Sequence, residues 1–395
     1  MSNIKESINS YRKLMENIFE VPRDKKNRIE MNEETQDVID NLYSTILESK
    51  VNNSGRGIIK DGLGPIINSE NYVNIPIEIR NKINAQKHVN ETCNLVLKSG
   101  RVIEMNVIYE KGEIKSTFID ELYDKSICWL SYIDKISSIN CSKKLSIYLL
   151  LGSEKKVIPR NKNEELDRQH VNSAFTFSCK KNNEIIIYRI EEVFKVLIHE
   201  SFHSFGLDFS SMAGNLANEI ICSHFQGLDK RCDYRIYESY CETWAQIINI
   251  LILVSREKTD NYMKRIDELL YYERSWSIFQ CAKVLYHYGL EYNAFFENEM
   301  IYTERKTQIF SYFILRAIAM EKIDVFINWS NKNNSDIIVF KKNQENVKSY
   351  CNLLCNISNN DEFNEKLELV EDWFLSGSIP VTDLIALKSM RMSLS

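Results

Sequence analysis

A short apolar stretch that contains two histidines and a glutamate, residues 191–210, constrains this chain more than any other feature. Its centre reads His-Glu-Ser-Phe-His from His199 to His203, and the turns before it are mostly apolar. On a helix, side chains four residues apart lie on one face, so the two imidazoles are close together. Burying two histidines and a glutamate is costly unless they have a partner. The pattern predicts a buried helix that shares a metal ion; satisfaction by hydrogen bonds, or an exposed helix end, is the alternative.

A metal ion would satisfy these three residues together. Two imidazoles one turn apart can bind one Zn²⁺ and leave room for a third ligand and a water. Glu200 follows the first histidine, so it is expected to point towards that water without being a ligand. A carboxylate there can take a proton from the water and deliver it to a leaving amine. We therefore predict Zn²⁺ as the cofactor, His199 and His203 as metal ligands, and Glu200 as the catalytic general base.

At these residues the chain resembles the zincin metallopeptidases. One zincin pattern, H-E-x-x-H-x-x-G-x-x-H, ends in a third histidine. Here Gly206 is present, but Phe209 stands where that histidine should be, which argues against a metzincin. Gly206 is expected to end the helix, where a positive φ is wanted. Asp208 has three possible roles: it accepts a hydrogen bond from a ligand histidine, binds the metal, or stabilises the loop.

A downstream segment offers another third ligand, as in gluzincins. Glu242 is followed three positions later by Ala245, and this Glu-x-x-Ala spacing resembles the third-ligand helix of that group. A small residue one turn on permits two helices to approach closely. Glu238 lies one turn earlier on the same face and is the alternative. His224 is a further option, and an exposed glutamate pair with no ligand role also stays open.

The zincin resemblance also implies a substrate-binding edge strand and a donor to the oxyanion. Residues 172–177 are the candidate strand, because Asn-Ser-Ala-Phe is similar to the Asn-Ala-aromatic edge strand of thermolysin-like enzymes. Asn172 and Ala174 would then contact a peptide main chain by edge addition, and an ordinary strand is the alternative. Zincins often use a downstream His or Tyr to stabilise the oxyanion. The candidates here are His224, Tyr234, Tyr237, Tyr240 and His287.

The pattern of the whole chain predicts an α+β fold with a mostly helical C-terminal half. The zincin resemblance implies that a zincin-like core precedes this half. Three regions are expected: a mostly helical N-terminal region at 1–90, a zincin upper subdomain with a sheet and the motif helix at 91–210, and a helical lower subdomain with the third ligand at 211–395. Residues 50–75 are predicted as a loop. Before the motif, a hairpin, a helix and three strands are predicted at 93–109, 116–137, 144–151, 171–177 and 184–188. Later helices are predicted at 234–255, 260–272, 275–288, 306–320, 344–356 and 362–375.

Composition excludes several partners. With 50 basic and 55 acidic residues the formal net charge is −5, so no electrostatic footprint for nucleic acid is expected. The N-terminus has no apolar signal region, and the apolar run at 247–254 is too short to span a bilayer. We therefore predict an intracellular protein without a membrane segment. The ten cysteines have no C-x-x-C spacing and are predicted to be free thiols.

These observations together predict a zinc metallopeptidase of the gluzincin type that acts on a peptide or protein substrate. One alternative is a catalytically inactive structural or interaction protein on a zincin scaffold. Another is a zinc hydrolase that acts on something other than peptides. Both histidines and Glu200 are present, which favours activity. The Asn, Lys and Ile bias resembles uncharacterised zincin-like proteins of large DNA viruses, which implies a viral protein of the host cytoplasm or the virion.

Overall fold

The structure is a computed structural model, and it describes residues 2–19, 31–49, 57–162, 164–212, 215–298, 301–376 and 384–394. The chain divides into two compact units. The sheet unit comprises residues 41–156 and 172–211, and the helical unit comprises residues 1–40, 157–171 and 212–395. Sheet and helices together make an α+β fold, as predicted. The three-part division at residues 90 and 210 stays a prediction.

Six strands form one mixed sheet in the order β1-β2-β3-β4-β6-β5. Their bounds are β1 Ile58–Asp61, β2 His88–Val96, β3 Val102–Glu110, β4 Lys144–Leu150, β5 Ala174–Thr176 and β6 Asn182–Ile187. Strands β3, β4 and β6 run parallel, β2 forms an antiparallel hairpin with β3, and β1 and β5 are antiparallel edges. The predicted hairpin and the central strand at 144–151 are confirmed.

Fourteen α-helices lie in the part of the chain that the structure describes. They are α1 Ser2–Ile18, α2 Glu33–Glu48, α3 Ile77–Ala85, α4 Ser116–Ile136, α5 Arg168–Val171, α6 Val193–Ser204, α7 Asn215–His224, α8 Tyr237–Val254, α9 Tyr262–Tyr288, α10 Arg316–Glu321, α11 Ile323–Asn333, α12 Gln344–Ser358, α13 Asp361–Leu375 and α14 Leu384–Lys388. Two 3₁₀ turns lie at 64–74, and a π-helical turn at Phe310–Leu315 leads into α10. Within these described residues, no helix has the length and apolar character needed to cross a bilayer.

Three sequence predictions about elements need correction. Strand β1 lies inside the segment predicted as a loop at 50–75, of which residues 50–56 fall outside the described part. The strand predicted at 171–177 begins only at Ala174, because residues up to Val171 form the short helix α5. The two helices predicted at 260–272 and 275–288 are one helix, α9, because no Gly or Pro interrupts it.

The sheet positions the motif helix. On one face of the sheet, alternate strand residues pack on buried side chains of residues 66–83, and the members of this cluster are Ile66, Tyr72, Ile75, Ile79, Ile83, Ile108, Tyr148, Leu150, Ile186 and Tyr188. Because neighbours along a strand point to opposite faces, Ile185 and Ile187 point to the other face. Helix α6 follows β6 and packs against β5 and β6. It also packs on α4, where the rings of Trp129 and Phe202 stack with centroids 6.2 Å apart.

Candidate metal centre

Helix α6 carries the H-E-x-x-H motif in its last two turns, and every residue of the helix is buried. The helix ends at Ser204, and Gly206, just after the C-cap residue Phe205, has a φ of 68°. The N–H of Leu207 donates to the carbonyl of Phe202 at 2.8 Å, and the N–H of Gly206 donates to the carbonyl of His203 at 3.1 Å. These two bonds form a Schellman C-cap, in which glycine supplies the left-handed residue. The role predicted for Gly206 is therefore confirmed.

The two motif histidines direct the same ring nitrogen towards each other. The Nε2 atoms of His199 and His203 are 3.2 Å apart. Both residues are buried, with His199 5% and His203 9% exposed. The ring planes are nearly perpendicular, at 83°. Two nitrogens bound about 2.0–2.1 Å from a tetrahedral zinc lie roughly 3.3–3.4 Å apart. The spacing of the two nitrogens therefore fits a shared zinc ion.

Asp208 contacts Nδ1 of His203, the ring nitrogen that does not face His199. Its Oδ2 accepts a hydrogen bond from Nδ1 of His203, and its Oδ1 accepts from the N–H of Ser210 at 3.0 Å and from its hydroxyl at 2.7 Å. Burial acts to raise the pKa of Asp208, but the charge and hydrogen bond of His203 and the bonds from Ser210 outweigh burial and lower that pKa. Because Nδ1 of His203 is taken up by Asp208, Nε2 is the nitrogen of this ring that is placed to bind a metal.

Of the three roles predicted for Asp208, two are therefore observed together: the hydrogen bond to a motif histidine, and the stabilisation of the loop after α6. Ser210, which holds the other oxygen of Asp208, was not predicted as part of the site. A serine two residues after an aspartate is a common turn pattern, and this spacing was the available signal.

Glu200 lies beside the pair of histidines on the same buried helix. It is 7% exposed. Because each helical residue is rotated by about 100° from the one before, Glu200 lies on the helix surface next to the face that carries the two histidines. This position suits a general base that is not itself a ligand.

Loop residues of the sheet unit hold the C-terminal end of α6. The N–H of Cys179 donates to the carbonyl of His203 at 3.0 Å, and the hydroxyl of Ser142 donates to the carbonyl of Ser204 at 2.8 Å. A disulfide joins Cys141 to Cys179. The last turn of the motif helix is therefore tied to two loops that are themselves cross-linked.

The prediction that all ten cysteines are free thiols is wrong for Cys141 and Cys179, whereas the other eight form no disulfide. The two are 38 residues apart, so spacing along the chain does not reveal the pair. Strand register does: each cysteine lies three residues before its strand, and Lys144 of β4 pairs in parallel with Asn182 of β6. Because β4 and β6 are neighbouring parallel strands and each cysteine lies at the same distance before its strand, the two loops that carry the cysteines lie side by side.

Removing this disulfide is expected to destabilise the sheet unit. For a closed loop of this length, cross-linking lowers the entropy of the unfolded chain by an amount worth about 4 kcal/mol. We expect the double variant Cys141→Ser/Cys179→Ser to lose about 2–4 kcal/mol of unfolding free energy in urea titrations. The matched control is Cys222→Ser/Cys281→Ser, which removes two thiols that form no disulfide. Equal unfolding free energies for the Cys141/Cys179 variant and the wild type would contradict the cross-link.

The helical unit carries the two candidate carboxylate ligands in the first turns of α8. Glu238 and Glu242 lie one turn apart and are 6% and 4% exposed, so an exposed glutamate pair is excluded. Ala245, which completes the Glu-x-x-Ala spacing, is also buried. The assignment of either carboxylate to a metal stays a prediction from the sequence.

Most of the candidate oxyanion donors have hydrogen bonds inside the helical unit. His224 contacts the hydroxyl of Ser358 at 2.7 Å. The hydroxyl of Tyr240 donates to the carbonyl of Ile338 at 3.1 Å, and burial raises its pKa well above the ordinary value. The hydroxyl of Tyr234 donates to the carbonyls of Asp229 and Tyr302. Nε2 of His287 contacts the carbonyl of Glu164. These are the surroundings of packed core residues, whereas Tyr237 is half-buried. The choice of an oxyanion donor stays a prediction from the sequence.

The candidate substrate strand lies at an edge of the sheet. Strand β5 pairs with β6 on one side, and no described strand pairs with its other side. Ala174 is its first residue, whereas Asn172 precedes it. Only Ala174 of the two predicted contact residues therefore belongs to the edge strand.

No protein-family model, curated protein or solved structure matches this chain. Its function is therefore inferred from the chemistry of the site.

Proposed function

We propose that this protein is a zinc-dependent metallopeptidase. The observation that carries the proposal is the convergence of the Nε2 atoms of His199 and His203, 3.2 Å apart on a buried helix, with Asp208 on the opposite nitrogen of His203. A donor set of two neutral imidazoles with such a carboxylate behind one of them is typical of zinc sites. We propose Glu242 as the third ligand, on its Glu-x-x-Ala spacing, with Glu238 as the alternative.

Zinc, when bound, lowers the pKa of a water and polarises a carbonyl group. Glu200 takes a proton from the attacking water and passes it to the leaving amine nitrogen. Asp208 keeps the proton of His203 on Nδ1 and fixes the orientation of the ring. The unpaired side of β5 offers main-chain donors and acceptors to an extended peptide, which favours a peptide substrate.

Removal of the metal tests the proposal directly. The purified protein is screened against a peptide mixture by mass spectrometry, before and after treatment with a zinc chelator. We expect cleavage to disappear after chelation and to return when one equivalent of zinc is added. Cleavage that survives complete removal of the metal would contradict the zinc mechanism. Zinc binding without cleavage of any peptide would contradict the peptidase and favour a zinc-binding interaction protein.

Asp208→Asn is expected to weaken zinc binding by about 10–100-fold, which is the usual cost of removing such a partner of a ligand histidine. The amide keeps the shape of the side chain but loses the negative charge that holds Nδ1–H of His203. Zinc affinity is measured by competition with a fluorescent chelator. Asp260→Asn, at an exposed position, is the matched control. Unchanged affinity in Asp208→Asn would show that the loop, not the metal, requires this carboxylate.

A further inference from the structure

A stripe of polar side chains runs along a buried face of α9 in the helical unit. Glu273, Trp276, Gln280 and Lys283 recur at intervals of three and four residues, so they lie on one face of the helix. Each is at most 3% exposed. Polar groups are rarely buried unless they are hydrogen-bonded. The stripe therefore marks a surface that is built to hold a polar partner.

The partner is a non-helical segment of the same chain, residues 389–394. Three of its carbonyl oxygens each accept hydrogen bonds from two side chains of α8, α9 and α10. The pairs are Gln280 and Lys283 with the carbonyl of Ser389, Trp276 and Gln280 with that of Arg391, and Gln246 and Arg316 with that of Met392. The two bonds to Arg391 measure 3.0 and 2.7 Å. The side chains of three helices thus contact the main chain of the segment.

Glu273 completes these contacts at the far end of the segment. Its Oε1 accepts from the N–H of Leu394 at 2.9 Å and from the hydroxyl of Ser393 at 2.8 Å. The side chains of Met390, Met392 and Leu394 are buried. The site therefore forms hydrogen bonds to carbonyls and to one N–H of the segment's main chain. It also encloses the apolar side chains that the segment has at alternate positions.

We propose that the helical unit contains a binding site for a non-helical peptide, and that residues 389–394 are its resident ligand. The ligand class is a peptide of about six residues that offers its carbonyls to Gln, Lys, Trp and Arg side chains and has apolar residues at alternate positions. Among the described residues, the segment makes one strand-like contact, the isolated bridge between Val157 and Ser389. Side chains, not a neighbouring strand, therefore supply most of the hydrogen bonds to its main chain, as in the binding of a peptide.

The test cuts the covalent connection between the segment and the rest of the chain while the protein is folded, so that the segment can stay in place. A recognition sequence for a specific protease is inserted within residues 377–383 of the full chain, between α13 and α14, and the folded protein is then cut. We expect the fragment that begins at 384 to co-elute with the body on gel filtration. A fluorescent synthetic peptide of residues 384–394 should then replace it, with saturable binding.

Variants of the site and of the peptide test which groups are needed for binding. Gln280→Ala removes two buried hydrogen bonds and should weaken peptide binding roughly 10–100-fold, whereas exposed Gln344→Ala is the control and should leave binding unchanged. A peptide with Met390→Leu should bind within about tenfold of the original, and one with Met390→Asp should not bind.

Three results would overturn the proposal. They are unfolding of the cut protein by circular dichroism, a fragment that never exchanges with added peptide, and a Gln280→Ala variant that binds as well as the Gln344→Ala control. The first two would make the segment an inseparable part of the core. Zinc content, measured on the same samples, reports on the metal centre separately.

Discussion

Glu200→Gln is expected to lower kcat for peptide hydrolysis by about 10²–10⁴-fold, the usual contribution of a general base, while zinc content stays unchanged. Glutamine keeps the volume of the side chain but cannot accept the proton of the attacking water. Because Glu200 is buried beside the two histidines and is not proposed as a ligand, the exchange should leave the metal in place. The measurement is kcat on the best peptide found by screening, with zinc determined by mass spectrometry on the same sample.

Glu219→Gln on α7 is the matched control, because Glu219 is exposed and lies outside the motif. It should retain full activity. A Glu200→Gln variant that loses its zinc would make Glu200 a ligand rather than a base. A variant that keeps both its zinc and its activity would remove Glu200 from the mechanism.

Arg101→Met is expected to lower the unfolding free energy by about 3–5 kcal/mol, the cost of removing one member of a buried ion pair. Arg101 is completely buried and pairs with Asp134. It also donates to the carbonyls of Cys141 and Ser142, and its guanidinium lies 4.6 Å from the centre of the Phe205 ring. The variant therefore loses an ion pair, loop contacts and the packing behind the cap of α6.

Urea unfolding followed by circular dichroism measures this loss. The double variant Arg101→Met/Asp134→Leu should recover part of it, because it leaves no isolated carboxylate in the core. Lys82→Met is the control, since Lys82 pairs with Glu154 at the surface and such pairs contribute roughly 0–1 kcal/mol. A loss below 1 kcal/mol for Arg101→Met would contradict the structural role of the buried pair.

Local pattern was sufficient to predict much of the sheet unit. The hairpin of β2 and β3, helix α4 and the cap at Gly206 all follow from periodicity or from a single residue type whose conformational preference is strong. The histidines of α6 follow from the same logic, because residues four apart on a helix must be neighbours. Such features depend on interactions between residues close in sequence.

Features that depend on tertiary pairing were missed. The disulfide between Cys141 and Cys179 becomes visible only when the register of β4 against β6 is known. The side chains of Tyr240 and His224 looked available for chemistry, but their hydrogen bonds connect them to residues about 100 or more positions away. The polar stripe on α9 was present in the sequence, yet its partner lies over 100 residues later.

The most direct test of the metal centre is the zinc content of the purified protein beside three variants, His199→Ala, Glu242→Ala and Glu238→Ala. We predict about one zinc per wild-type chain, loss of that zinc in His199→Ala, and loss in only one glutamate variant, which would identify the third ligand. Folded wild-type protein that contains no zinc after dialysis against the metal would contradict the site. In that case the close approach of His199 and His203 would have no catalytic meaning.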